Sequence, residues 1–278
     1  MAFTVIEQYA VGKFDDPERC EDALAVTPHF AAVVDGVTSK TPFRFSGRTP
    51  GRVAASLLVR LLADLPADAD CSAFIARANE MFGRFYREHR LLDRARADAS
   101  CRLTASAVVY SDARREVWSV GDCRLRIGGA EYRHEKAIDT LLSSRRAEAI
   151  ESYLAQGGAP DALFVRDVGR EAIREALLRQ HRAQNPTAPD MPFAYGVLDG
   201  FPPYAPDVRS YAVEAGQEVV LASDGYPAVL PTLEESESRL RQILHDDPHC
   251  FRIFQSTKGV MQGQTSFDDR AYLRLRVE

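Results

Sequence analysis

The sequence predicts an α+β domain built in layers, on three observations. Strand-length apolar runs come in groups, stretches of helical periodicity separate those groups, and the two kinds of element do not alternate one by one as a βαβ fold requires. In chain order, residues 3–9 and 23–26 read as short strands, and residues 30–34 form an unbroken apolar run that ends on Asp35-Gly36. That run suits a buried strand carrying an acid to its tip. Thr49 and Pro50 supply an N-cap and a first-turn proline, after which Val53, Leu57, Leu58, Leu61, Leu62 and Leu65 recur at helical spacing. A second helix is expected over residues 72–97, with Phe74, Ala78, Phe82, Phe85 and Tyr86 on one stripe. Alternating runs at 106–110, 116–120 and 125–127, broken by Ser111-Asp112 and Gly121-Asp122, read as a β-meander. Helices are expected over 139–156 and 161–184, stopped between them by Gly157-Gly158-Ala159-Pro160. Strands at 208–213 and 218–222, a helix at 233–245 and a closing strand at 271–277 complete the pattern. No internal repeat or long linker divides it, so residues 1–278 are expected to form a single domain.

The 278 residues carry 35 Lys+Arg against 40 Asp+Glu, a formal charge of −5. With no basic excess to neutralise phosphates, nucleic acid is not an expected partner. No apolar run approaches the ~20 residues of a membrane helix, and the opening MAFTVIEQYAVGK lacks a basic leader followed by a long apolar stretch. A soluble, cytoplasmic protein without a membrane partner is therefore expected. Five cysteines, Cys20, Cys71, Cys101, Cys123 and Cys250, form no C-x-x-C pair and read as reduced, packed thiols.

The chemistry is carried by acids. Asp35 follows AAVV, Asp122 follows VWSVG, Asp224 follows EVVLAS, Asp268-Asp269 precede AYLRLRV, and Glu21-Asp22 precede ALAV. Any one Asp-Gly at a strand end is commonly just a turn. Several carboxylates converging at the strand ends of one sheet would instead repel one another unless a hard cation neutralised them. Oxygen donors without a His pair point to Mg²⁺ or Mn²⁺ rather than Zn²⁺.

In their order, Glu21-Asp22, VVDG (33–36), SVGDCR (119–124), LASDGY (221–226) and FDDRAYLRLRV (267–277) resemble the metal-dependent type-2C protein serine/threonine phosphatases, the PPM family, over nearly the whole chain. The resemblance implies a four-layer α-β-β-α sandwich, two antiparallel sheets flanked by helices, with a binuclear Mn²⁺ or Mg²⁺ centre at one end and a phosphoprotein substrate. By the same resemblance Asp35 bridges the two metals, the Gly36 carbonyl helps to hold one of them, and Asp224 and Asp268 bind the other. Asp122 then belongs to a third, weaker metal, and Asp22 supports the centre through water. Catalysis is expected to rest on Asp35, Asp224 and Asp268, two cations about 3.5–4 Å apart orienting a water for in-line attack on phosphorus.

Two departures bear on mechanism. The family often writes DGHGG or DGMGG where this chain has DGVTS, so Val37 stands in place of a His that protonates the leaving group in some members. His29 lies six residues before Asp35, at the opposite end of an extended strand. The arginine that binds substrate phosphate in some members has no exact counterpart. Arg19 stands two residues from the expected place, and Lys40, Arg44 and Arg48 follow Asp35 on a longer segment. Cys123 as a nucleophile would need a phosphate-cradling glycine loop after it, which the following residues do not resemble, and it reads as a core cysteine. Two readings follow: a metal-dependent protein phosphatase, or a catalytically weak or inactive regulatory or binding module on the same fold. Turnover of p-nitrophenyl phosphate with Mn²⁺ against EDTA separates them.

Overall fold

The computed structural model describes residues 3–14, 16–38, 43–188 and 190–278. Its strands are β1 (Phe3–Val11), β2 (Ala23–Val26), β3 (Phe30–Gly36), β4 (Ala105–Ser111), β5 (Glu116–Val120), β6 (Arg124–Ile127), β7 (Ala130–Tyr132), β8 (Val208–Ala212), β9 (Glu218–Ala222) and β10 (Arg270–Val277). The α-helices are α1 (Pro50–Asp64), α2 (Cys71–Glu88), α3 (Leu92–Ala97), α4 (Ala137–Ala155), α5 (Val168–Ala172), α6 (Arg174–Arg179) and α7 (Leu233–Asp246). The strands make two five-stranded antiparallel sheets, ordered β1-β10-β9-β6-β7 and β2-β3-β4-β5-β8.

The unbroken apolar run of β3 has a direct cause, because both of its faces are buried. Phe30, Ala32 and Val34 pack with α1 and α2, whereas Ala31 and Val33 pack between the sheets against Leu125, Leu221, Leu273 and Leu275. On the far side, Val220, Ala222 and Tyr272 turn outward to meet Leu240 of α7. The layers are therefore helix, sheet, sheet, helix, as the resemblance implied. Local chemistry sets the helix starts: Thr49 caps α1 ahead of Pro50, Asp70 caps α2, and Thr232 with Glu235 forms a capping box on α7.

Three expectations are corrected. The meander does not form, since β4 and β5 pair in one sheet while β6 joins β9 and β7 in the other. The crossing point is Gly121, with φ +92° and a Cβ position 2.3 Å from Ser106 Oγ, so only glycine fits. The helix expected over 72–97 breaks into α2 and α3 where Arg90 adopts φ 56°, and the Leu91 N–H closes back on the Tyr86 carbonyl. The stretch 161–184 is not one helix but a series of short turns and helices including α5 and α6, restarted at Asp167, which caps α5. The short β7 had no alternation long enough to signal it. Among the described residues, no helix is long and apolar enough to cross a membrane.

One contact fixes where β3 ends. A Cβ on Gly36 would sit 2.4 Å from the Gly51 carbonyl oxygen and 2.6 Å from that of Glu21, so the first turn of α1 reaches the strand only over bare backbone. Gly36→Ala is expected to cost about 1–3 kcal/mol by overpacking and to lower the melting temperature by roughly 3–10 °C, read by thermal unfolding. An unchanged melting temperature would mean that this approach is looser than drawn.

Candidate metal centre

The antiparallel order brings the acids together. β3 and β5 run the same way and end on Asp35 and just before Asp122, and β2, antiparallel to β3, begins just after Asp22. In the other sheet β9 ends just before Asp224, and its antiparallel partner β10 begins just after Asp269. The strand tips of both sheets thus present Asp22, Asp35, Asp122, Asp224 and Asp268 at one edge of the sandwich. Gly225 lets the two β9–β10 acids approach, since a Cβ there would lie 2.0 Å from the Asp269 carbonyl oxygen. Asp269 is not spare: its carboxylate accepts the Lys13 N–H at 2.8 Å and the Glu21 N–H at 2.9 Å, tying the segment before β2 to the start of β10.

The five acids fall into two electrostatic groups. Burial, then Asp22, Asp224, Asp122 and Asp268, hold the Asp35 carboxyl well above its ordinary range. Asp22 is raised well above its ordinary range by burial and by Asp269, Asp268 and Asp224, with Ser223 opposing. Asp224 is pushed up to about 6 by burial, Asp122 and Asp268. In contrast, burial would raise Asp122 and Asp268, but ammonium groups outweigh it. Lys136 lies 2.6 Å from Asp122 Oδ2, with Ser106 Oγ donating to Oδ1 at 2.5 Å, and the Asp122 pKa is lowered. Lys13 is 3.1 Å from Asp268 Oδ1 and Lys258 pairs with Oδ2, bringing Asp268 down to about 2.

Asp35, Asp122, Asp224 and Asp268 line a cavity of about 390 Å³, together with Val37 and Lys258. Its outer wall comes from outside the sheets. Lys136 and α4 form one side, and the segment 253–258 forms another. That segment is anchored by two arginines, the fully buried Arg146 and the partly buried Arg170. Arg146 pairs with Asp167 at 2.8 Å and donates to the carbonyls of His249, Cys250 and Ser256, while Arg170 donates to the Thr257 carbonyl at 2.6 Å. Asp22 lies behind this floor and lines a second cavity of about 310 Å³ with Glu21, Cys20 and Arg52.

Of the proposed phosphate-binding side chains, none that is described reaches the main cavity. Arg19 lies over the Phe14 ring at 3.3 Å, the Arg44 guanidinium donates to the Phe43 carbonyl, and the Arg48 backbone pairs with Phe45. Lys40 lies outside the described residues. Cys123 is fully buried, and burial, Asp35 and Asp122 push its thiol well up, so it is held as an unreactive thiol. The residues that sequence reasoning missed are Lys13, Lys136 and Lys258. A signal for them existed in plain composition, because the chain has four lysines among 35 basic residues and three of those four meet this acid cluster.

The donor chemistry fits a hard divalent cation. It is all oxygen, and the buried Asp22 Oδ2 and Glu21 Oε1 have no hydrogen-bond partner. Among the described residues, however, no group of three or more His, Cys, Asp or Glu side chains is drawn around one point as a finished metal site. Two of the acids are turned to lysine instead.

No protein-family model matches the chain, and no curated protein matches it. Among solved structures the chain is similar to PppA, a key regulatory component of T6SS in Pseudomonas aeruginosa, at 15% identity over 99% of this chain and 98% of that one, with a TM-score of 0.50. It is also similar to the serine/threonine phosphatase PstP/Ppp of Mycobacterium tuberculosis, at 16% identity over 99% and 100% of the two chains, TM-score 0.49. A third is the PPM Ser-Thr phosphatase MsPP of Mycobacterium smegmatis, in complex with cacodylate, at 14% identity over 99% and 100%, TM-score 0.47. The likeness to PppA is one of fold, and the two five-stranded antiparallel sheets flanked by helices are the architecture the sequence resemblance implied.

Proposed function

We propose that this chain is a metal-dependent phosphoric monoester hydrolase acting on phosphoserine or phosphothreonine in a protein, its residues 1–278 forming one catalytic domain. One observation carries the reading: strand tips of both sheets deliver acids to a single edge, four of them into a cavity of about 390 Å³, a size suited to a small ligand group. The residues that would hold divalent ions are Asp35, the Gly36 carbonyl, Asp224 and Asp268, with Asp122 at a third position and Asp22 behind. When bound, Mn²⁺ or Mg²⁺ supplies Lewis acidity towards phosphoryl oxygens and lowers the pKa of water towards neutrality.

The chain's own groups do the positioning. Ser106 and Lys136 each hold one oxygen of Asp122, and the Ser223 hydroxyl accepts the Ala271 N–H at 2.8 Å, locking the turn that carries Asp224 onto β10. Arg124, its guanidinium held by the Pro227 carbonyl at 2.6 Å, places a fixed positive charge in the cavity wall. With Cys123 buried, attack by water rather than by an enzyme nucleophile is the reaction this wall supports.

Calorimetric titration with Mn²⁺, followed by turnover of p-nitrophenyl phosphate and a phosphothreonine peptide in Mn²⁺ or EDTA, tests the reading. Metal binding with metal-dependent turnover of both substrates is expected. A chain that binds Mn²⁺ but hydrolyses neither is a binding module on this fold, and one that binds no Mn²⁺ is not a metallophosphatase.

A further inference from the structure

We propose that Lys258 is a displaceable counter-ion of the acid cluster, holding Asp268 when no divalent ion is bound and leaving it when one binds. This rests on the metal-centre reading above and adds to it a competition between an ammonium group and the metal for one carboxylate.

The geometry sets an ammonium group on each oxygen of Asp268. Oδ1 accepts from Lys13 Nζ at 3.1 Å and from the Asp269 N–H at 3.0 Å, and Oδ2 is paired with Lys258 Nζ. A divalent ion on Asp268 would meet an ammonium charge beside whichever oxygen it took, and that repulsion favours the departure of one ammonium. Lys13 is the harder one to move: its side chain is 10% exposed, its Nζ also donates to Thr38 Oγ1, and its backbone N–H is bound by Asp269. Lys258 is 21% exposed and opens directly on the cavity. Its main chain does not have to move, because Arg146 and Arg170 pin the carbonyls of the two residues before it. Rotation of a four-carbon stem into the cavity is sufficient.

The choice of residue supports the same role. This chain uses arginine almost everywhere, yet Lys13, Lys136 and Lys258, three of its four lysines, all pair with acids of the cluster. A guanidinium binds a carboxylate as a rigid two-point fork, whereas an ammonium is a compact, mobile point charge that a metal ion can replace.

Two measurements test the proposal, each with Mn²⁺ alone as probe. In calorimetry, Lys258→Met should bind Mn²⁺ more tightly than the unaltered chain, on the order of ten-fold, because the competitor is gone. In amine-specific acetylation read by peptide mass spectrometry, Lys258 of the unaltered chain should label several-fold faster with saturating Mn²⁺ than in EDTA, with the more enclosed Lys13 changing less. The second readout needs no variant, so a misfolded Lys258→Met would not shield the idea, and it separates release of the side chain from a mere change of charge nearby. If the unaltered and Lys258→Met chains bind Mn²⁺ equally, or if Lys258 labels at one rate with and without bound Mn²⁺, the counter-ion role is wrong. If neither chain binds Mn²⁺, the metal-centre reading has failed and the proposal falls with it. Binding by Lys258→Met alone would overturn the proposal, because the lysine would then bar the metal rather than yield to it.

Discussion

Asp35→Asn is expected to abolish Mn²⁺-dependent turnover, by about three orders of magnitude, while raising the melting temperature in EDTA. The two effects share a cause. Asp35 is held well above its ordinary pKa by burial and by four neighbouring carboxylates, so its charge opposes folding wherever it is ionised. An unfolded Asp titrates near about 3.9. The penalty is absent below that pH, grows as the pH rises through the window up to the folded pKa, and is complete above it. Each unit of separation is worth about 1.4 kcal/mol, or roughly 3–5 °C in a chain of this length. The melting curves of the two proteins should therefore coincide near pH 3.5 and diverge on the way to neutrality, Asp35→Asn lying higher.

Asp268→Asn gives the opposite thermal result with the same loss of activity. Lys258 and Lys13 bring Asp268 down to about 2, so its ionised form stabilises the fold above the unfolded pKa and that contribution is lost as the pH falls towards about 2. At neutral pH in EDTA, Asp268→Asn should melt lower. A shift of the same sign for both variants would remove the division of the acids into repelling and lysine-held members. Near-normal turnover of Asp35→Asn at saturating Mn²⁺ would remove the metal centre itself.

The division also explains what was legible beforehand. Acids at the ends of apolar runs are visible in sequence, because a strand buried on both faces leaves no polar residue until its tip, as in residues 30–36. That those tips share one edge depends on strand direction, which short runs do not encode: alternation found β4, β5 and β6 but not that Gly121 carries β6 into the other sheet. The lysines escaped for a further reason. Lys258 lies in a segment with no periodicity, and its approach to the acids depends on contacts over 100 positions apart in sequence, those Arg146 makes to the carbonyls of His249, Cys250 and Ser256, while Lys136, just ahead of α4 and 14 positions after Asp122, gives no sign of where its ammonium points. Only the scarcity of lysine in an arginine-rich chain pointed there.

Val37 leads to the second large effect, a steep dependence of turnover on the leaving group. Val37 lines the cavity, and its N–H is taken by the Thr104 carbonyl; the sequence resemblance sets it where some PPM phosphatases carry a histidine. The cavity does hold His134, but its ring is engaged by the Tyr211 hydroxyl at 2.6 Å and by Arg209, and burial and Arg209 keep its pKa below the ordinary value. It is therefore neutral at pH 7 and no ready proton donor. A departing p-nitrophenolate needs no proton and a departing threonine alkoxide does, so aryl phosphate should be preferred over phosphothreonine peptide by up to the ~10²–10⁴-fold that general acid catalysis supplies. Val37→His should narrow that preference at least about ten-fold by accelerating the peptide, leaving the aryl rate and Mn²⁺ affinity nearly unchanged. Steady-state kcat/KM for both substrates on both proteins reads the difference. An equal preference in the two, with Mn²⁺ affinity intact, would place proton delivery on another group of the site and end the missing-acid account.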